Sequence, residues 1–579
     1  MKMLWGIILV GIIVLSACDR KEASVGVEPA SKQATAAQSD VPSFTPESNE
    51  ELVARAGAPL FEGLGVHTHP ITTEDSGAQR YFDQGLVLAF AFNHAEAVRS
   101  FRAAQRLDDN CAMCFWGEAL ATGPNINITS KGKVIMAAEA RVFAYEALQK
   151  AVSRQDKVSP REQDYIDALA ARYNGDAATD RDPLDQAYAD AMRGLANKYP
   201  EDVDANALFA EALMNTMPWN YWSEKGEAKP ATREVLQILE AALAQNAEHP
   251  LAIHLYIHAT EASSAPEKAE AAADTLAHLI PGAGHLVHMP AHTYWRVGRY
   301  NDAAEANVRA AAVDENYIAQ CNAQGFYPAL YYPHNIHFLW SASSMEGRSA
   351  VAIEAARKLV TRVSVEQVRQ FPVVEFFRTV PLQALVQFAH WDEILAEPQP
   401  LDEFDLSNGI WHYARGLALL ASDQVELAKQ QRDALVERKS AASIALLDTN
   451  DYPASQVLEI ADQLLLGEIA MHSDDADKSI EYFTQAVALQ DALPYTEPPF
   501  WYYPTRQSLG LALLRGGRPE QAERVYREDL QQFPRNGWST FGLMQSLRAQ
   551  GKDSAADEAL KAFEVIWQLA DVKLTASRL

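Results

Sequence analysis

Residues 85 to 104, GLVLAFAFNHAEAVRSFRAA, contain a spacing of small residues that predicts the fold. Gly85 is followed twelve positions later by Ala97 and seven positions after that by Ala104. The apolar residues recur with helical periodicity, so the stretch reads as two amphipathic helices joined by a short break. Small residues at these steps allow two antiparallel helices to approach closely. The stretch therefore predicts one tightly packed helical hairpin.

The same spacing recurs along the chain, which predicts an array of such hairpins. The further triplets are Ala291, Ala303 and Ala310; Gly416, Ala428 and Leu435; Gly467, Ser479 and Ala486; and Gly510, Ala522 and Asp529. Gly298, Gly347, Gly517 and Gly551 supply the turns between paired helices. A chain of 579 residues is too long for one compact core, so a repeat array accounts for its length.

Two segments carry a resemblance to a known family. GRYNDAAEA at 298–306 and GRPEQAERVY at 517–526 resemble the turn and second helix of the tetratricopeptide repeat, a helix-turn-helix unit of about 34 residues. Pro281 and Pro534 sit where that family often places its closing proline. The resemblance implies an all-α, right-handed superhelical solenoid of antiparallel helix pairs over residues 75–579, with about ten pairs. It also implies a protein, peptide or small ligand bound along the concave face.

Three aromatic and proline-rich insertions interrupt the repeat spacing, at residues 215–226, 321–335 and 493–506. One interpretation is that they are plugs that pack onto the solenoid. The other is that they cover the groove as lids, because insertions in repeat proteins gather on one face.

The first eighteen residues form a distinct segment. Lys2 precedes an apolar run from Leu4 to Leu15, which is the pattern of a secretory signal and is too short to span a bilayer. LSAC at 15–18 resembles a bacterial lipobox, which implies cleavage before Cys18 and lipidation of that cysteine. By the same resemblance, Asp19 directly after this cysteine implies retention at the inner membrane. We therefore expect a lipid-anchored protein of the cell envelope, on the periplasmic face of the inner membrane.

Residues 19–57 are rich in Ala, Ser, Glu and Pro, which predicts a flexible tether, and residues 58–74 form a further segment before the solenoid. Cys111 and Cys114 are spaced either for a disulfide or for two metal ligands. CAMC at 111–114 lacks the histidine of a haem attachment site, and no phosphate-binding loop is present in the sequence, so neither haem nor a nucleotide is expected. Seventy-seven acidic against fifty basic residues give a net charge of −27, which argues against nucleic acid.

The histidines are concentrated in one window. Nine of the fifteen lie between residues 249 and 337. In the tetratricopeptide family, the groove-facing residues of the first helix lie one position after, three before and six before the small packing residue. For Ala291 these positions hold His292, His288 and His285.

The neighbouring repeats have histidines at the same positions. One repeat earlier, Ile257 takes the packing position beside His258 and His254. After the insertion, Trp340 takes it beside His337 and His334. The resemblance thus places seven histidines on one groove face, and another repeat earlier it places Glu211 and Asp204 there.

These side chains suit a transition metal. Several neutral imidazoles with a nearby carboxylate bind Zn, Cu or Fe and do not suit Ca or Mg. Asp204, Glu211 and the HTHP segment, with His67 and His69, supply further candidate ligands. The alternatives are hydrogen-bonded packing histidines and a face that titrates with pH. Pro290 must kink the helix or begin a new one, and a helix beginning there would leave His285 and His288 in a loop.

Three functions remain open. The first is a membrane-anchored solenoid that binds a ligand or partner and holds a metal in its histidine-lined groove. The second is a metal-dependent oxidative or hydrolytic enzyme, with Glu211, Asp204 or Glu261 as acid or base and with lids that carry Trp222, Tyr327, Tyr331 and Tyr332. The third is a plain protein-interaction scaffold.

Overall fold

The computed structural model describes residues 47–129, 134–223, 226–321 and 327–579. The predicted signal peptide, Cys18 and residues 19–46 of the predicted tether lie outside the described residues. The end of that tether differs from the expectation, because residues Asn49–Ala56 form a helix, α1. Ser48 and Glu51 cap its start reciprocally, and Gly57 ends it with a φ of 63°.

Twenty-eight α-helices occupy most of the described residues. The first ten are α1 with the bounds above, α2 Ser76–Phe90, α3 His94–Leu107, α4 Ala112–Thr122, α5 Ala138–Val152, α6 Pro160–Ala170, α7 Arg181–Lys198, α8 Val203–Asn215, α9 Pro230–Gln245 and α10 Pro250–Thr260. The next ten are α11 Glu270–Leu279, α12 Gly284–His288, α13 Pro290–Arg296, α14 Tyr300–Cys321, α15 Tyr332–Met345, α16 Ser349–Arg362, α17 Val365–Gln370, α18 Phe376–Gln387, α19 Trp391–Ala396 and α20 Asp405–Leu420. The last eight are α21 Val425–Lys439, α22 Ala442–Thr449, α23 Ala454–His472, α24 Ala476–Asp491, α25 Arg506–Arg515, α26 Pro519–Gln532, α27 Gly537–Ala549 and α28 Asp553–Ile566.

Other regular structure is short. Strands β1 (Ile128–Thr129) and β2 (Val134–Ile135) pair in parallel, with Ile128 opposite Val134. A π-helical turn, Tyr327–Tyr331, leads into α15. None of the helices in the described ranges is long and apolar enough to cross a membrane.

The chain is an array of helical hairpins, as the spacing predicts. Consecutive helices pack against each other, for example α2 with α3, α20 with α21 and α23 with α24. The number of helices exceeds about ten pairs partly because a proline separates α12 from α13 and because α17, α19 and α22 are short.

The small residues of the repeat stand at the closest helix contacts. A Cβ added to Gly85 would lie 2.9 Å from the Phe101 ring. At Gly510 it would lie 2.3 Å from the Tyr526 ring, closer than carbon atoms pack. Gly298 has a φ of 79° at the α13 to α14 turn, the left-handed conformation that glycine adopts readily. The predicted spacing is therefore a packing requirement.

Two apolar cores run through the array. One is built mostly from residues 52–345 and the other from residues 311–574. Within the first core, α10 packs against α2 although residues 91–249 separate them in the chain. The first helices therefore curve back on themselves, and the groove-facing histidines become buried.

Candidate metal centre

Six of the seven predicted histidines come together in the interior of the first core. Helix α10 carries His254 and His258, α12 carries His285 and His288, α13 carries His292, and α15 carries His334. The first five of these are buried, and His254 and His288 have no exposed surface. The histidines occupy equivalent positions in the first helix of consecutive repeats, which accounts for this convergence.

Pro290 does not disrupt the cluster. A new helix begins at this proline, as one of the two expectations had it, but His285 and His288 lie on the short helix α12 and not in a loop. Met289 between the helices keeps helical φ and ψ of −51° and −39°. The helical path therefore continues, and His288 Nε2 lies 2.9 Å from His292 Nε2.

The six rings fall into two groups of three. The ligand atoms of His254, His258 and His285, the first histidine trio, lie within 4.8 Å of one another. The same holds for His288, His292 and His334, the second histidine trio. The trios adjoin, because the ring centroids of His258 and His292 are 5.6 Å apart and those of His285 and His288 are 5.9 Å apart.

Hydrogen bonds at Nδ1 determine which ring nitrogens face the centre of the cluster. His254 Nδ1 lies 2.7 Å from the Phe90 carbonyl oxygen, and His288 Nδ1 lies 2.7 Å from Asn307 Oδ1. The Asn307 amide nitrogen donates to the Ala303 carbonyl, so its oxygen is the atom facing His288. An oxygen acceptor requires a proton on Nδ1, which leaves Nε2 of a neutral ring with a lone pair.

Two carboxylates complete this pattern. His258 Nδ1 donates to Glu261 Oε1 at 3.3 Å, and His258 Nε2 is buried with no hydrogen-bond partner. His292 Nδ1 donates to Glu497 Oε2 at 3.0 Å and lies 2.8 Å from Glu261 Oε2. Metal-binding histidines characteristically donate their second ring nitrogen to such a carbonyl or carboxylate.

Without a metal, only some of the ring nitrogens in the cluster have a hydrogen-bond partner. His254 Nε2 and His285 Nε2 are 3.2 Å apart, so His285 can donate to the lone pair of His254. His285 Nδ1 is nevertheless buried without a partner. Converging lone pairs and orphaned ring nitrogens are the donor set that a transition metal ion requires.

The electrostatic environment separates His292 from its neighbours. Burial and the charge of neighbouring histidines hold the pKa of His254, His285, His288 and His334 well below 6.5, so these rings are neutral. Burial also acts to lower the pKa of His292, but Glu261 and Glu497 outweigh it and raise that pKa to about 10. A proton thus joins His292 to His288 in the absence of metal, and an ion binding there must displace it.

Burial raises the pKa of Glu497 despite the nearby His292. Glu261 is different, because His292 and His258 overcome the effect of burial and lower its pKa to about 2. Together with His292, the two carboxylates form a further group of potential ligands.

All three insertions reach the cluster, which fits both expectations, plugs that pack onto the solenoid and lids over the groove. From the first, the Trp219 ring lies 5.1 Å from His258. From the second, the Tyr331 ring lies 4.7 Å from His285, and from the third, Glu497 contacts His292. Phe92 and Phe338 add apolar walls, with ring centroids 4.4 Å from His254 and 4.8 Å from His292.

Asp204, His67 and His69 form a separate group. His69 Nδ1 lies 2.7 Å from Asp204 Oδ2, and His67 Nε2 lies 3.1 Å from Asp204 Oδ1. His249 joins them, with Nε2 2.9 Å from Asp204 Oδ1. We call these four residues the Asp204 cluster. Asp204, His67 and His69, the further candidate ligands, thus gather apart from the trios, where they belong to two separate groups of potential metal ligands.

His337 also lies apart from the trios. Its ring stacks on Trp340 at 5.1 Å and contacts Phe376 and Phe377 at 5.6 and 5.5 Å. It occupies its predicted helix position but packs into the second core, so the structure does not bring it to the metal centre.

Glu211 is not part of any potential ligand group in the described ranges. Burial raises its pKa to about 7, against the opposing charge of Arg172. Cys111 and Cys114 are joined by a disulfide at the start of α4, so of the two alternatives the structure shows the disulfide.

Some functional residues have no local signal in the sequence. Glu497 lies 205 residues from His292, and the Phe90 carbonyl lies 164 residues from His254. His249 belongs to the histidine-rich window but not to a groove position of the repeat, so repeat register alone does not reveal its role.

Of the comparisons with known proteins, the one with solved structures finds similar chains. No protein-family model and no curated protein matches the chain. Among solved structures, the chain is similar to the Cut9-Hcn1 hetero-tetramer of the APC/C, at 14% identity over 85% of this chain and 73% of that chain with a TM-score of 0.28. Human IFIT1 with m7Gppp-AAAA is similar at 11% identity over 86% and 91% with a TM-score of 0.30, and yeast Tom70 at 13% over 86% and 93% with a TM-score of 0.26.

The helix pairs and packing residues of this chain assign the architecture. It is a tetratricopeptide-repeat-like helical array. Its distinctive feature is the pair of histidine trios inside the curve of the first core.

Proposed function

We propose that this protein is a membrane-anchored, extracytoplasmic solenoid that holds a transition metal in the two histidine trios and binds a ligand or protein partner in its groove. The observation that carries the metal assignment is the orientation of the rings. Four of the six donate from Nδ1 to an oxygen acceptor, which directs Nε2 toward the cluster centre. Zn, Cu and Fe suit such imidazole donors.

Two features support the proposed location. LSAC at 15–18 supports cleavage before Cys18 and lipid anchoring. The Cys111 to Cys114 disulfide supports an oxidising compartment such as the periplasm.

Metal analysis tests the proposal. The full chain, purified in detergent from cells supplied with Zn, Cu and Fe, should retain a transition metal. His288→Ala/His292→Ala should lose most of it, because the second trio keeps only one ligand. His337→Ala is the matched control, a buried histidine outside the trios, and should keep its metal. If the wild-type chain retains no metal, the metal-binding proposal is wrong and the interaction scaffold is the remaining function.

A metal-dependent enzyme is the second candidate, and one observation favours it. Three protein ligands leave an ion with an open position, as catalytic sites do. A cavity of about 500 Å³ is lined by Gly284, the residue before His285 in α12, and by Asp314 and Tyr327. Azide added to the metal-loaded chain should change its absorption spectrum if a position is open to small molecules. An unchanged spectrum would count against catalysis at this site.

A further inference from the structure

The six histidines provide two sets of ligands and not one. Each trio has three ligand atoms within 4.8 Å of one another; the first trio comes from two helices and the second from three. Ligand nitrogens lie about 2 Å from a metal ion, so those of one ion lie within about 4 Å of one another. A single ion bound at one trio would leave the ring nitrogens of the other trio without a metal ion.

The local charge limits what the pair of sites can hold. The six imidazoles are neutral as ligands, and Glu261 and Glu497 are the carboxylates that contact their ring nitrogens. Two monovalent ions would be balanced by these two carboxylates. Two divalent ions would leave two uncompensated positive charges among buried groups, which is costly in a low-dielectric interior.

The surroundings also favour ions of low charge. Phe92, Phe338 and Trp219 pack against the trios and make their walls apolar. Three neutral donors per ion are fewer than the four ligands of a structural zinc site. Copper binds imidazole, and its reduced form is a monovalent transition-metal ion.

Resting on the proposed metal-binding function, we infer that the protein binds two copper(I) ions, one in the first histidine trio and one in the second. Binding of copper(I) to the ring nitrogens requires no electron transfer.

Copper stoichiometry tests this inference. The full chain in detergent is loaded without oxygen from a copper(I) bicinchoninate complex, desalted and analysed for bound copper. The wild type should hold two copper ions per chain. His254→Gln and His334→Gln should each hold one, because each removes one ligand from a different trio. His337→Gln is the matched control and should hold two.

The outcomes separate the two proposals. A wild-type chain that binds no metal of any kind contradicts the metal-binding function itself. One bound copper per wild-type chain overturns the two-ion inference and leaves that function standing. Displacement of bound copper by an equal concentration of zinc(II) overturns the monovalent assignment.

A second measurement does not depend on the variants folding. X-ray absorption at the copper edge of the loaded wild-type chain should show three nitrogen donors per ion and a copper neighbour at about 3.5 to 4 Å, the separation usual in two-metal sites. Nitrogen donors without a copper neighbour, at two ions per chain, would overturn the adjacency of the sites.

Discussion

The two histidine trios and the Asp204 cluster are all largely buried and rich in histidine, yet their ring protons are placed in opposite ways. In the trios, oxygen acceptors lie outside the ring cluster, and Nε2 lone pairs face inward. In the Asp204 cluster the acceptor is at the centre. His249 Nδ1 accepts the Ala252 amide proton, so its Nε2 must carry the proton that is donated to Asp204.

We call the hydrogen bonds that His69 and His249 make to Asp204 the brace; they set this cluster apart from the trios, although its residues also form groups of potential metal ligands. Imidazole protons that point at a carboxylate satisfy it without a metal, and they hold its pKa well below 3.8 although burial acts to raise it. The Asp204 cluster thus ties residues 67–69 to α8 and to the start of α10. Histidine content and burial alone do not identify a metal site, because the position of the second hydrogen-bond partner decides which nitrogen is free.

The largest expected effect is in the brace. Asp204→Asn removes the charged acceptor of His69 and His249 and should destabilise the protein by about 3 to 5 kcal/mol, as loss of one partner of a buried ion pair does. Thermal unfolding followed by circular dichroism measures this effect. Copper content should not change, and a parallel loss of copper would show that the Asp204 cluster belongs to the metal centre.

The carboxylate behind the second trio should affect metal affinity more than folding. Glu497→Gln keeps the size of the side chain but removes the charge beside His292, and should weaken metal binding roughly 10- to 100-fold. Competition with a chromogenic chelator measures the affinity. Glu375→Gln, a buried carboxylate in the second core, is the matched control and should bind metal like the wild type. Equal affinities in both variants would contradict a role for Glu497 in tuning the site.

The contribution of the brace to the stability of the protein should also depend on pH. The pKa of Asp204 is lowered, so its contribution exists above about 3.8 and is lost as pH falls through the folded value. Burial acts to lower the pKa of His69, but Asp204 raises it above 6.5, so this contribution is present below 6.5 and lost as pH rises through the folded value. The difference in melting temperature between wild type and Asp204→Asn should therefore be larger at about pH 5.5 than at about pH 8.5. A constant difference would argue against this coupling.

The smallest effect is expected at the margin of the brace. His67→Ala removes one ring beside Asp204 and should cost about 1 kcal/mol, with no change in copper content. Chemical denaturation of the variant beside wild type measures the loss. A cost as large as that of Asp204→Asn would mean that His67, and not the carboxylate, holds the cluster together.

Much of this architecture follows from the sequence. The spacing from Gly85 to Ala97 and Ala104 predicts hairpins because close helix packing excludes larger side chains at those positions, and the structure confirms it. The repeat register predicts seven histidines on one face, and six of them meet in the structure. It cannot separate His337 from them, because the same helix position faces Trp340 once the second core has formed.

The other groups that form the site cannot be predicted from local sequence patterns. Glu497 and the Phe90 carbonyl come from distant parts of the chain, and no periodicity relates them to His292 or His254. Asp204 is at a predicted groove position, but it accepts a hydrogen bond from His249, which does not occupy a groove position of the repeat. Repeat register describes one helix pair at a time, whereas these contacts arise from the curvature of many pairs.

The sequence by itself determined the helical hairpins and the face on which the histidines lie, since both depend on residue spacing within one or two helices. Only the tertiary structure decided how the histidines divide, with two trios around free ring nitrogens and one cluster around Asp204. The physical reason is that a histidine's tautomer depends on the partner of its second nitrogen. In this protein, most of those partners come from other helices or from an insertion.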